Sequence, residues 1–250
     1  MKSILIIGSA VDAQRVKAWD LTKFSVCVVI NNAWQLTEDW NYLIHPDDMP
    51  KENLPPMHAL SENQSFITSR EYVPVQNHFG GFVYAGGTMA FTAGYWALGA
   101  LSPDVIAYIG CDMIYPEKID KKSHFYGNGE ADPLRKDITL QSLEAKSVRL
   151  MALAHINDCV IVNLSELPAS RLSFPRAPID ALLSKDTSPV ILDEYNANLN
   201  MRIVNEALYE EVRLGYMVPS GRYWEDDEKF DARKLSTIDS MWVESYANLL

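Results

Sequence analysis

The chain has 250 residues, of which 33 are acidic and 22 basic, and its formal net charge is −11. Non-specific nucleic-acid binding needs clustered Lys and Arg, which this sequence lacks, so we expect no nucleic-acid partner. The sequence shows no apolar run near the ~20 residues of a membrane-spanning helix and no basic, apolar leader before its first strand, so we expect a cytoplasmic protein without a transmembrane segment.

The first two thirds of the chain alternate strand and helix signals. Short apolar runs rich in β-branched residues predict buried strands at 4–7, 26–30, 42–46, 66–72, 105–110 and 159–163. Asp12 is predicted to cap a short helix that runs to Ala18. Helices are expected at 89–101 and, with an amphipathic pattern, at 138–156. This alternation predicts an α/β protein with a Rossmann-like, mostly parallel sheet and flanking helices.

The character of the sequence changes after about residue 168. We expect helices at 198–214 and 238–249, separated by a charged, Trp/Tyr-rich segment. Residues 1–168 are therefore interpreted as the Rossmann-like domain and residues 169–250 as a helical extension. The extension is either a cap packed on that domain or a contact in a homo-oligomer.

Polar residues follow several of the predicted strands, where open α/β sheets bind ligands. Gly8 and Ser9 form a turn after the first strand, but neither a G-x-G-x-x-G nor a Walker A pattern is present, which disfavours NAD, FAD and P-loop chemistry. Asn31 and Asn32 end the second strand, where their amides either read a base or ribose edge or cap a turn. His45 ends the third strand and is either structural or part of the site.

The segment 105–127 carries most of the functional signal. A strand ends at Asp112 and Tyr115, and one loop later come His124 and Tyr126. An unperturbed imidazole titrates near ~6.5, which suits a general base at neutral pH, although an ordinary loop histidine is the alternative. Asp112 has no neighbouring carboxylate in the sequence, so we interpret it as a hydrogen-bond acceptor and expect no metal site.

A second candidate anion site lies at a predicted helix start. Gly87 and Thr88 open the helix 89–101, where free backbone N–H groups and the helix N-terminus favour a phosphate.

Over residues 3–165 the order of these segments resembles that of the bacterial lipooligosaccharide sialyltransferases. It is also similar to the related Maf-type flagellin-glycosylation and 6-hydroxymethylpterin diphosphokinase-like proteins. The resemblance is carried by the Gly8 turn, Asn31-Asn32, the segment 86–99, the segment Ile-Gly-Cys-Asp-Met-Ile-Tyr at 109–115 and the segment Ser-His-Phe-Tyr at 123–126.

The resemblance implies a metal-independent glycosyltransferase that uses a CMP-activated sugar as donor, a glycan as acceptor and no cofactor. By position, His124 would be the base, and Tyr115 and Tyr126 would donate to the leaving phosphate. The donor would be held by Gly8, Ser9, Asn31, Asn32, Gly87, Thr88 and Asp112. Two alternatives stay open: a Mg²⁺-dependent phosphoryl or pyrophosphoryl transferase with Asp112 as ligand, and a non-catalytic nucleotide- or glycan-binding protein.

Overall fold

The structure is a computed structural model and describes residues 1–114, 124–127, 136–183, 194–195 and 198–246. Within these ranges six strands form one sheet in the order β4-β3-β2-β1-β5-β6, with every neighbouring pair parallel. The strands are β1 (Ser3–Ile7), β2 (Val26–Ile30), β3 (Tyr42–Ile44), β4 (Ser65–Ile67), β5 (Val105–Ile109) and β6 (Val160–Asn163). The predicted α/β, Rossmann-like fold is confirmed.

The strand order places a topological switch point between β1 and β5. The chain moves outward from β1 to β4 and then returns to the other side of β1, where Ile7 pairs with Ile109. In open parallel sheets such a reversal leaves a crevice outside the carboxyl ends of the two strands. The fold therefore puts residues 8–10 and 110–113 at the place where a ligand is expected.

The two faces of the sheet are covered differently. One face, which we call the helical face, carries Ile4, Ile6 and Ile106 and is covered by helices. The other, the turn face, carries Leu5 and Ile7 and is covered mainly by short 3₁₀ segments. The helices are α1 (Ser69–His78), α2 (Phe82–Ala85), α3 (Met89–Trp96, extended by a π-turn to Leu101), α4 (Leu143–Ile156), α5 (Ile179–Leu183), α6 (Met201–Leu214) and α7 (Ala232–Glu244).

Several local predictions are wrong, and two of them concern how a helix begins. The predicted strand 66–72 is the strand β4 followed at Ser69 by the helix α1, because the carboxylate of Glu71 accepts a hydrogen bond from the N–H of Thr68 at 2.8 Å and starts the helix. Asp12 does not cap its helix. The 3₁₀ helix Val11–Ala18 begins after Ala10, and the Asp12 carboxylate instead accepts from the N–H of Glu166 at 3.1 Å.

The helix α4 is buried almost all round, contrary to the predicted amphipathic pattern. Helix α7 packs along it, and Val204, Ala207 and Trp242 of the C-terminal helices belong to the same core as the sheet's helical face. Two buried ion pairs also join α4 to these helices, Lys146 with Asp239 at 2.8 Å and Arg149 with Glu211 at 2.7 Å. The C-terminal helices thus form a second layer over the helical face.

None of the helices in the described ranges combines the length and the apolar character needed to cross a membrane.

Candidate functional site

The turns after β1 and β5 approach each other closely at the switch point. The N–H of Gly8 donates to the carbonyl of Ile109 at 2.8 Å, and the N–H of Ala10 donates to the carbonyl of Gly110 at 2.9 Å. A Cβ on Gly8 would overlap the carbonyl oxygen of Gly110, whose own φ is +71°. Both glycines are needed so that the two backbones can form one narrow floor.

Asp112, two residues after Gly110, has a buried carboxylate. It is only 1% exposed, and its Oδ1 accepts from Nδ2 of Asn163, at the end of β6, at 3.3 Å. The amide of Asn163 is held in turn by Ser170 Oγ at 3.1 Å and by the N–H of Ser165 at 3.0 Å. Oδ2 of Asp112 is buried and has no hydrogen-bond partner in the described part of the chain. Asn163 was not predicted from the sequence, although a polar residue ending a buried strand is the signal that would have found it.

The His124 turn is anchored on the end of β1. The N–H of Phe125 donates to the carbonyl of Ser9 at 2.9 Å, and His124 and Gly127 exchange backbone hydrogen bonds of 2.9 and 3.1 Å. The imidazole of His124 stacks on the ring of Tyr126, with ring centroids 5.0 Å apart. The structure therefore brings His124 and Tyr126 to the Ser9 turn, whereas Tyr115 lies outside the described residues.

Burial favours the neutral form of the His124 imidazole. Desolvation lowers the pKa of His124 from its ordinary value of 6.5. A neutral imidazole has a lone pair that can accept a proton, which is the state a general base requires. Tyr126 remains 44% exposed beside it.

Asn31 and Asn32 begin the 3₁₀ helix Asn31–Leu36 directly after β2. Asn31 has a left-handed backbone, with φ +50°, which asparagine tolerates better than most residues. The Oδ1 atoms of both side chains are buried and have no hydrogen-bond partner among the described residues. The predicted pair of amides is therefore present at the end of the strand.

His45 presents a further acceptor at the end of β3. Its Nδ1 lies 2.8 Å from the carbonyl of Pro46, which can only accept, so Nδ1 is the donor and, in the neutral tautomer, Nε2 is the acceptor. The ring is 7% exposed and packs edge-on against Phe66, at 5.8 Å between centroids. Nε2 is buried and lacks a partner within the described ranges.

Four buried acceptors at the carboxyl edge of the sheet lack a hydrogen-bond partner among the described residues. They come from the ends of three strands: Asn31 Oδ1, Asn32 Oδ1, His45 Nε2 and Asp112 Oδ2. A buried acceptor without a donor costs about 1–3 kcal/mol. Hydroxyl and amino donors, such as those of a nucleoside with an exocyclic amine, are the groups that would satisfy these acceptors.

In the turn at Gly86, Gly87 and Thr88, polar groups that the sequence predicts to be free for a ligand are already hydrogen-bonded within the protein. The N–H of Gly87 donates to Thr139 Oγ1 at 3.0 Å, and Thr88 Oγ1 accepts from the N–H of Phe91 at 3.4 Å as the cap of α3. The expectation of a free N–H at Gly87 is therefore wrong. Tyr223 reinforces this arrangement by donating from its hydroxyl to Asp137 Oδ2 at 2.9 Å, with Asp137 Oδ1 accepting from Thr139 Oγ1 at 2.6 Å.

Metal ligands do not gather at this edge in the described residues: no three His, Cys, Asp or Glu side chains there are grouped closely enough to hold an ion. Comparison of the chain with protein-family models, with curated proteins and with solved structures gives no match.

Proposed function

We propose that this protein is a metal-independent, sialyltransferase-like glycosyltransferase that takes a CMP-activated sugar as donor and a glycan as acceptor. The observation that carries the proposal is the hydrogen bond from the Phe125 N–H to the Ser9 carbonyl, 2.9 Å long. It joins the turn that bears His124 to the end of β1, beside the switch point at which an open parallel sheet binds its ligand.

The donor nucleotide suits the acceptors at the strand ends. The amino group of cytosine and the ribose hydroxyls are donors, and they complement Asn31 Oδ1, Asn32 Oδ1 and His45 Nε2. Matching a ligand donor to each buried acceptor removes the cost that these atoms carry in the free protein. A nucleotide held this way needs no dinucleotide-binding fingerprint.

Direct displacement at the anomeric carbon is the reaction proposed. His124, neutral because burial lowers its pKa, takes the proton of the acceptor hydroxyl as its oxygen bonds to the anomeric carbon. The bond from that carbon to the phosphate oxygen breaks, and its electron pair leaves on CMP. Tyr126, with Tyr115 from the resemblance, would donate hydrogen bonds to the leaving phosphate as its negative charge grows.

CMP release from CMP-N-acetylneuraminic acid by the full chain tests the proposal, with UDP- and GDP-sugars as comparison donors. We expect release with the CMP-sugar, and loss of nearly all of it in His124→Ala. Release that is equal in the wild type and in this variant, or absent with every donor, would contradict the proposal.

A phosphoryl or pyrophosphoryl transferase is the second candidate, and one observation favours it. Oδ2 of Asp112 is a buried carboxylate oxygen without a partner in the described ranges, and such an oxygen is a ligand that Mg²⁺ accepts. A chelator separates the two functions: sugar transfer is expected to survive excess EDTA, whereas transfer from ATP would stop and return with Mg²⁺.

A further inference from the structure

A groove lies between the start of α4 and one face of α7, on the helical side of the sheet. It has a volume of about 420 Å³. Gln141 and Ser142 form one wall, and Ser236, Asp239 and Ser240 form much of the other. Hydroxyl, amide and carboxylate groups are thus set in a lining whose exposed surface is more apolar than polar, as a site for a sugar ring can be.

Asp239 is the buried ionisable group of this groove. The residue is 4% exposed, and its Oδ1 accepts from the ammonium of Lys146 at 2.8 Å. Its Oδ2 is buried and has no hydrogen-bond partner in the described part of the chain. Desolvation raises the pKa of Asp239, although the charge of Lys146 acts in the opposite direction. The groove therefore offers one unsatisfied acceptor inside an ion pair of zero net charge.

The remaining polar groups suit hydroxyls as partners. Ser142 Oγ accepts from the N–H of Ala145 at 3.2 Å, so its own proton can be donated to a ligand. Ser240 Oγ donates to the carbonyl of Ser236 at 3.0 Å and keeps its lone pairs. Lys146 balances the charge of Asp239, so the net charge of the lining comes from Glu244, which would repel an anion. Neutral hydroxyl groups, which both donate and accept, complement this lining.

The groove adjoins the turn at Gly86–Thr88. Thr139, which accepts from the N–H of Gly87, lies two residues before Gln141 in the same segment. Lys146 packs under the turn as well, with its Cγ 3.2 Å from where a Cβ on Gly86 would lie. Lys146 therefore lies against the turn through its methylene groups and binds the groove residue Asp239 through its ammonium.

We propose that this groove binds a neutral saccharide, with a sugar hydroxyl donating to Asp239 Oδ2 and others contacting Ser142 and Ser240. Binding itself depends only on the groove. Its use as the subsite for the glycan acceptor rests on the proposed function.

Protein-observed NMR tests the binding. The full ¹⁵N-labelled chain is titrated with lactose, and separately with maltose, to about 50 mM, which nearly saturates a site of millimolar Kd. We expect the amide signals of Gln141, Ser142 and residues 236–244 to shift. Ser240→Arg places a long side chain in the groove from an exposed position and should raise the Kd about tenfold or more. Thr237→Arg adds the same charge at an exposed position of α7 outside the groove and should leave the Kd unchanged.

Two results would overturn the inference: no shift of these amides with either sugar, or equal Kd values in the two variants. The titration contains no nucleotide, so its outcome is separate from that of the donor assay. Saccharide binding without CMP release would support the groove as a saccharide site and contradict the proposed function. CMP release with an acceptor KM unchanged by Ser240→Arg would remove the acceptor role alone.

Discussion

Two groups of buried polar side chains in this protein differ in how completely they are paired. Between α4 and α6, the guanidinium of Arg149 donates to both carboxylate oxygens of Glu211, at 2.8 and 2.7 Å, and to the hydroxyl of Tyr95 at 2.8 Å. Trp242 adds a hydrogen bond to the same carboxylate at 2.9 Å. At the carboxyl edge of the sheet, by contrast, Asn32, His45 and Asp112 each keep a buried acceptor without a partner among the described residues.

Under the proposed function, the difference is one between polar groups that hold the fold together and polar groups that bind the ligand. Polar groups that are buried and fully paired fix how helices pack, and removing one partner is costly because the other charge stays buried. Polar groups that are buried and unpaired cost free energy in the free protein and give it back when a ligand supplies the missing donor. Substitutions in the first group should therefore change stability, and substitutions in the second should change ligand binding or turnover.

The largest effect is expected from breaking the Arg149–Glu211 pair. Glu211→Leu leaves the guanidinium, whose side chain is 1% exposed, without its counter-charge and should lower the free energy of unfolding by about 3–5 kcal/mol. Urea denaturation followed by circular dichroism measures it. The control is the double variant Arg149→Met with Glu211→Leu, which removes both charges and should recover part of the loss, because Trp242 Nε1 still lacks its acceptor. A double variant as unstable as the single one would show that the pair is not the cause.

Removal of the proposed base comes next in size. His124→Ala should lower kcat for CMP release roughly 10²-fold, which corresponds to about 2.7 kcal/mol, while the Kd for the nucleotide stays nearly unchanged. His58→Ala, at an exposed histidine on the 3₁₀ helix Met57–Ala59, is the matched control and should turn over like the wild type. A His124→Ala enzyme within a few-fold of wild type would reject His124 as the base.

The sheet could be predicted from the sequence because its strands are buried on both faces. Such strands appear as short apolar runs, and β1, β2 and β5 lie where those runs lie. The parallel arrangement also meant that polar residues after the strands would share one edge. The helix α1 was missed because its apolar positions resemble the continuation of a strand, although Thr68 and Glu71 carry a capping signal.

Contacts between distant segments could not be predicted in the same way. Lys146 and Arg149 appear in the sequence as charges on the solvent side of an amphipathic helix, but Asp239 and Glu211, 93 and 62 residues later, pair with them and allow them to be buried. Tyr223 likewise reaches the region of the Gly87 turn from the C-terminal region through Asp137. No local pattern specifies these partners, since they depend on how helices pack in space.

An effect of similar size is expected for nucleotide binding. CMP at about 100 times its Kd should add ~2.7 kcal/mol to the free energy of unfolding and raise the Tm by about 5–10 °C. Asn32→Ala and Asn31→Gly should each reduce that shift, because they remove acceptors for the nucleotide. Glycine is chosen at position 31 because it accepts the left-handed φ of +50° without strain.

Differential scanning fluorimetry measures these shifts, with Asn205→Ala as the control at an exposed asparagine of α6. The Tm without CMP should change little in the two site variants, because the Oδ1 atoms that they remove have no partner in the described residues. A full CMP shift in both variants would exclude the asparagines as nucleotide contacts. A shift under about 1 °C in the wild type with every nucleotide would argue against all nucleotide-dependent functions.

The smallest effect concerns pH. His124 must be unprotonated to act as a base, and desolvation lowers its pKa from 6.5, so kcat/KM should stay level as the pH falls to about 6.5 and decline only below it. The same shift has a consequence for stability: the unfolded chain, with the ordinary pKa, binds the proton more readily. Any contribution of His124 to stability is therefore present above about pH 6.5 and is lost as the pH falls further. NMR titration of the His124 imidazole in the free protein gives the pKa directly, and the acid limb of kcat/KM should share its midpoint. A limb that persists unchanged in the residual activity of His124→Ala would assign it to another group.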